Sequence, residues 1–167
     1  MTTDDLPLGG HIVDGRHLLP VRVYWEDTDA GGIVYHASYL RFMERGRSEF
    51  LRALGLVQSA LAAGDAPVLF VVRHMAIDFL KPARLDDLLV VETAPATVGG
   101  ARLDLTQTVR RDGEAIAAAR VTAVSIGPDG RPRRLPAAAR AALAPDATRG
   151  GDAAGAADGS IAATAES

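Results

Sequence analysis

The chain has 167 residues, of which 48% are hydrophobic, carries a net charge of −3 and contains no cysteine. Such a length supports one domain with a real core and no metal or disulfide help, and the missing cysteines exclude a disulfide framework, a thiolate nucleophile and Cys-ligated zinc. Asp146, Asp152, Asp158 and Glu166 against Arg149 account for the whole net charge, so the rest is balanced and shows no cationic footprint for nucleic acid.

Residues 1–17 read as a loose leader. Their opening, MTTDDLPLGG, has neither the basic nor the apolar region of a signal peptide, and no apolar run is long enough for an integral membrane segment; a cytoplasmic protein is expected. Leu19, Val21, Val23 and Trp25 then alternate with Pro20, Arg22, Tyr24 and Glu26, the period of a half-buried strand. This strand is expected to end in the carboxylates Glu26, Asp27 and Asp29, followed by Gly31-Gly32.

From Ser38 to Leu54 the period changes to that of a helix. Leu40, Met43, Phe50 and Leu54 fall on one face, with Leu51 beside them, and charged residues fill the rest. Gly46 costs helix stability, so its place in the middle predicts close packing against another backbone. Gly55 is a natural stop.

The remainder reads as strand and turn. Runs at Pro67 to Leu80, Leu88 to Thr97, Leu103 to Val109 and Glu114 to Ile126 are separated by Lys81-Pro82-Ala83-Arg84, Gly99-Gly100 and Asp112-Gly113. Pro95 marks a bulge or edge. Pro136 to Leu143 suits a short terminal helix. Tight turns make the strands antiparallel, which predicts an α+β fold: a five-stranded sheet wrapped around one long helix over residues 18–144. Residues 145–167 are small and polar apart from Ile161, a composition expected to stay disordered.

The candidate chemistry sits between the first strand and the helix. Asp29 lies at the expected strand end, and His36 lies seven residues later at the expected helix start. A carboxylate beside unpaired helix N–H groups suits hydrolysis, one supplying nucleophile or base and the other oxyanion stabilisation. On the residues alone a turn or helix cap is the favoured reading of Asp29, and Glu26 and Asp27 are solvated or turn-bonding. His36 counts more for its backbone N–H than for its ring. Tyr35 and Tyr39 read as packing residues. His11, His17 and His74 lack ligand spacing, so neither a metal nor another cofactor is expected.

The run YWEDTDAGGIVYHASYLRFMERGRSEFLR, with Phe70-Val71-Val72-Arg73, Pro82-Ala83-Arg84-Leu85-Asp86-Asp87 and Pro132-Arg133, resembles the hotdog-fold acyl-CoA thioesterases of the 4-hydroxybenzoyl-CoA thioesterase class. Within that class it is most similar to the thioesterases encoded with the Tol–Pal envelope system. The resemblance spans roughly residues 20–136. It implies a hotdog fold, an acyl-CoA substrate, acyl carrier protein as a partner, and homodimers joined edge to edge, often paired into homotetramers. It also implies Asp29 as the catalytic carboxylate and the helix start near His36 as oxyanion stabiliser, with Gly32, Val34 and Tyr35 positioning the substrate. Such relatives often carry tyrosine four residues before the aspartate. Here that residue is Trp25, whose indole donates a hydrogen bond but neither accepts one nor acts as an acid.

Coenzyme A carries phosphates, so Arg84, Arg131 and Arg133, in loops after strands, are candidates to bind it. Three rival readings stand beside the thioesterase. A hotdog protein that binds acyl-CoA or an acyl carrier without catalysis needs no reactive Asp29. A hotdog hydratase needs a second motif, which is not found. An Asp-x-Asp phosphatase would use Asp27-Thr28-Asp29, Lys81 and Asp86-Asp87, but requires a parallel sheet with helical crossovers.

Overall fold

The computed structural model describes residues 9–144; residues 1–8 and the expected disordered tail lie outside them. The elements run β1 (His11–Val13), β2 (Arg16–Arg22), a 3-10 turn (Trp25–Asp27), α1 (His36–Ala53), α2 (Gln58–Ala63), β3 (Leu69–Phe79), β4 (Leu88–Val98), β5 (Arg102–Arg111), β6 (Glu114–Ile126) and α3 (Ala137–Leu143). The six strands form one sheet in the order β1-β2-β4-β5-β6-β3. Every pairing is antiparallel, which removes the architecture the phosphatase reading needs.

Four expectations are corrected. The sheet has six strands rather than five, because part of the expected leader folds: His11–Val13 pairs with β2 through a turn at Asp14 and Gly15, both with positive φ (48° and 75°). β2 ends at Arg22, and the chain then enters the 3-10 turn, so Trp25 is 79% exposed instead of buried. A short helix, α2, follows α1 where only strand and turn were expected. Finally, β3 and β4 are not a hairpin. β3 pairs with β6 at the sheet edge while β4 lies between β2 and β5, so residues 80–87 carry the chain across the sheet.

The other junctions follow local chemistry. Asp112 and Gly113 adopt φ of 50° and 82°, the twist that suits a two-residue hairpin between β5 and β6. The ladder between β4 and β5 shifts register between Pro95 and Thr97, because proline cannot donate to it.

Helix α1 lies on the sheet over β2 and β4. Phe42, Met43, Phe50 and Leu51 are buried with Leu89, Val91, Leu103 and Leu105; each such side chain contributes about 1.5–3 kcal/mol on burial. Leu40, expected on this face, is 39% exposed, and Tyr39 and Phe42 take its place. Gly46 does pack closely, but against side chains: an added Cβ would stand 2.8 Å from Val91 Cγ1 and 3.0 Å from Thr93 Oγ1. Beneath it the buried Gln107 amide donates to Met43 O at 2.8 Å and to Thr93 Oγ1 at 2.9 Å, tying helix to sheet.

Candidate active site

Between the 3-10 turn and α1 the chain makes a short loop that presents Asp29. Thr28 and Val34 pair as an isolated bridge, Asp29 N–H donates to Ile33 O at 3.0 Å, and Gly32 N–H donates to Asp29 O at 3.0 Å. Gly32 has φ of 73°, a conformation that favours glycine. Gly31 N–H donates to Asp29 Oδ1 at 2.8 Å, which anchors one carboxylate oxygen. Asp29 is exposed. It therefore sits on a closed loop seven residues past β2, not at a strand end.

Asp29 opens into a cavity of about 430 Å³ shared with Ile33, Val34 and His36. Tyr39 and Phe79 form an apolar side of it, and Leu80, Lys81 and Pro82 form the rim. The aromatic side is continuous: the His36 ring lies 6.3 Å from Phe79, edge-on, and the Tyr39 ring lies 5.6 Å from Phe79. The structure thus brings Asp29, Val34 and His36 together.

The backbone donors sort cleanly. Val34 N–H donates to Ala83 O, Tyr35 N–H to Asp27 O and Ser38 N–H to Tyr35 O, each at 2.8 Å. Gly32, Val34 and Tyr35 have therefore spent their N–H groups inside the protein. The first turn of a helix has no carbonyls behind its N–H groups, and among the described residues no side chain caps this end of α1. That leaves His36 and Ala37 as its available donors. Tyr35 is exposed, and its ring stands 4.4 Å from His36.

Asp27 holds the turn itself. It is 3% exposed, accepts Tyr24 N–H at 2.9 Å and lies 3.8 Å from Arg41, so it is turn-bonding and not solvated. Ser38 Oγ donates to Asp27 O at 3.2 Å, fixing α1 against the loop.

Of the three candidate arginines, Arg84 lies by the loop, where its guanidinium reaches Gly32 O at 3.4 Å. Its own segment is braced by Asp87, which accepts Arg84 N–H at 2.8 Å and pairs with Arg111 at 2.7 Å. Burial alone would raise the Asp87 carboxyl; the Arg84 N–H and the Arg111 guanidinium bring it below its usual range. Arg131 and Arg133 sit beyond the end of β6, where Arg133 donates to Pro67 O at 3.1 Å. That is the opposite end of β3 from Phe79, about 33 Å away along eleven extended residues. Within one chain they do not join the cavity.

The sequence reading missed Ile33, Phe79, Leu80, Lys81 and Pro82, and took Tyr39 for packing alone. Tyr39 Oη accepts Ala83 N–H at 3.2 Å, and burial raises the phenol above its ordinary value, keeping it neutral. The Lys81-Pro82 break was visible as a turn, but nothing local says which cavity it rims. Among the described residues no group of three His, Asp or Glu could hold a metal ion, and no helix is long and apolar enough to cross a membrane.

A sheet wrapped on one helix, with a carboxylate loop facing that helix's start, is the arrangement of a hotdog thioester hydrolase. A sequence profile described as the thioesterase superfamily matches residues 31–118, and the chain belongs to that family. It is 47% identical over 119 residues to the acyl-CoA thioester hydrolase YbgC of Escherichia coli O6:H1, covering 70% of this chain and 87% of that protein. It is 48% identical over 101 residues to the acyl-CoA thioesterase YbgC of Haemophilus influenzae, covering 60% and 74% respectively. A crystal structure of a probable thioesterase from Bartonella henselae superposes with a TM-score of 0.70 at 45% identity, covering 72% of this chain and 99% of that one.

Proposed function

We propose that the protein is an acyl-CoA thioesterase that hydrolyses the thioester to a free acid and coenzyme A. The observation that carries this reading is the shared cavity: the Asp29 carboxylate, the uncapped start of α1 at His36 and the apolar side of Tyr39 and Phe79 face one space. The acyl-CoA thioesterase names of the relatives at 47–48% identity support the same substrate class.

The step follows from the chemistry. The thioester carbonyl lodges with its oxygen toward the His36 and Ala37 N–H groups. Asp29 removes a proton from a water that attacks the carbonyl carbon, or attacks it directly to give an anhydride that water then opens. Negative charge gathers on the carbonyl oxygen, where the helix N–H groups and dipole stabilise it. The C–S bond then breaks, giving the free acid on the water route and the anhydride on the direct route, which water opens to the acid and a free Asp29. A thiol of pKa near 8.5 leaves without a strong acid and takes up the proton from Asp29 or water. One anchored carboxylate oxygen leaves the other free for either role.

In this reading Arg84, beside the loop, meets the coenzyme A phosphates. The edge strand β3 exposes Leu69, Val71, Val72 and Phe79, an apolar edge unpaired among the described residues and of the kind that joins to a second copy. Antiparallel pairing of two β3 edges would set the start of one strand beside the end of the other. The partner copy's cation pair from the 131–133 loop would then reach the mouth of this cavity, which gives those arginines their expected role. The assembly is a homodimer or a pair of dimers, the compartment is the cytoplasm, and acyl carrier protein is a further acyl donor. The proposed setting is that of the Tol–Pal-associated thioesterases. Turnover measured across short, medium, long and aromatic acyl-CoAs tests the reading, and no thioesterase activity on any of them would end it.

A further inference from the structure

A second cavity, of about 190 Å³, opens between α1, α2 and the β3 side of the sheet, where Val71 and Val72, on the edge proposed to meet a second copy, also line it. One wall is apolar, built from Leu51, Phe70, Leu103 and Leu105; the other carries Arg47 and Glu44. It lies three turns along α1 from His36, so it is distinct from the Asp29 cavity.

Arg47 is the anomaly. Its half-buried guanidinium donates to the neutral oxygen of Gln107 at 2.8 Å and, among the described residues, has no carboxylate within 4.0 Å. Burial holds its pKa below the usual arginine value. Removing a charge from water without a counter-ion is costly, and the free donors of a guanidinium form a planar fork that matches a carboxylate. Glu44 makes no ion pair with Arg47: its charge favours the guanidinium only through space, by less than burial disfavours it. Its Oε1 accepts the Ser48 hydroxyl at 2.8 Å, and Ser48 in turn accepts Gln58 Nε2 at 2.9 Å. The space is little larger than the ~150 Å³ cavity that holds benzene, enough for a tail of about five or six carbons.

We propose that this cavity binds a short apolar carboxylic acid, its carboxylate on the Arg47 guanidinium and its tail against Leu51, Phe70, Leu103 and Leu105. Such acids belong to the class that thioester hydrolysis releases, but the site stands on Arg47 and does not depend on the role given to Asp29.

The test is titration of the full-length protein with hexanoate, followed by amide NMR, beside 1-hexanol as an uncharged match. Hexanoate is expected to shift residues around 70–72 and 103–105 saturably. Binding should weaken about tenfold or more for 1-hexanol and in Arg47→Met, as loss of a charged hydrogen bond implies. It should survive in Arg47→Lys and tighten in Glu44→Gln, where the opposing charge is gone. The hexanol comparison decides the matter in the unaltered protein should Arg47→Met fail to fold. No saturable binding, shifts confined to the Asp29 cavity, or equal binding in Arg47→Met would overturn the proposal. So would Arg47→Met weakening self-association with no hexanoate effect, since a second copy would then supply the missing carboxylate.

Discussion

Tyr39 and Ala83 are joined by one buried hydrogen bond, from the Ala83 N–H to the Tyr39 hydroxyl at 3.2 Å, which ties the helix to the segment crossing the sheet. The Ala83 carbonyl accepts Val34 N–H at 2.8 Å, so Ala83 is clamped from both sides and the rim at Lys81 and Pro82 is fixed against the Asp29 loop. Tyr39→Phe would leave the fully buried Ala83 N–H without an acceptor. The expected loss is about 1–3 kcal/mol of stability, read by chemical denaturation, with a fall in kcat/KM as the rim loosens. Unchanged stability would show that the clamp contributes nothing.

Gly46→Ala tests the packing of α1 on the sheet. Alanine favours a helix interior by about 1 kcal/mol over glycine, but here its Cβ would stand 2.8 Å from Val91 Cγ1 and 3.3 Å from Gln107 Nε2. Overpacking of this kind costs about 1–3 kcal/mol. Net destabilisation is therefore expected, and a more stable Gly46→Ala protein would mean that the sheet yields readily.

His17 makes stability depend on pH. It is fully buried, its Nε2 lies 2.6 Å from Gly9 O, and among the described residues its Nδ1 has no partner. Burial lowers its pKa below 6.5, outweighing the opposing pull of the Gly9 carbonyl and Glu49. The unfolded chain therefore takes up this proton first as pH falls. The stabilising contribution is complete above pH 6.5, the unfolded value, and is lost as pH drops through the lower folded value. Urea midpoints at pH 7.5 and pH 5 should differ more in the native protein than in His17→Phe, and equal pH dependence in the two would refute this.

The exposed edge of β3 predicts self-association. Light scattering should find a dimer or tetramer, and Val72→Lys, which puts a charge on that edge, should shift it toward monomer and lower turnover. A native protein that is monomeric and fully active would contradict a site completed by a second copy.

How far the residues alone reach is seen element by element. Helix α1 declared itself through its apolar period, and β5 and β6 through alternation around Asp112-Gly113. The same Asp-Gly pair at Asp14 and Gly15 carries no such signal, because a three-residue strand shows no period of its own. The phase of α1 was misjudged at Leu40, since an exposed leucine and a buried tyrosine look alike in a hydrophobicity pattern. The run from Pro67 to Leu80 reads as a strand, but its place at the sheet edge is set by its pairing with β6, a fact of topology. At the site, Asp29 and the helix start were legible from residue type and spacing. The opposite rim was not, because residues 79–82 reach the cavity only through the crossover between β3 and β4.

The central claim is that the Asp29 carboxylate is the reacting group. Turnover of acyl-CoA by the native protein and by Asp29→Asn, with folding checked in both, tests it most directly. The substitution keeps the side-chain shape and the acceptor for Gly31 N–H while removing the charge. A loss of at least about a hundredfold in kcat at unchanged stability is predicted; equal turnover would contradict the account.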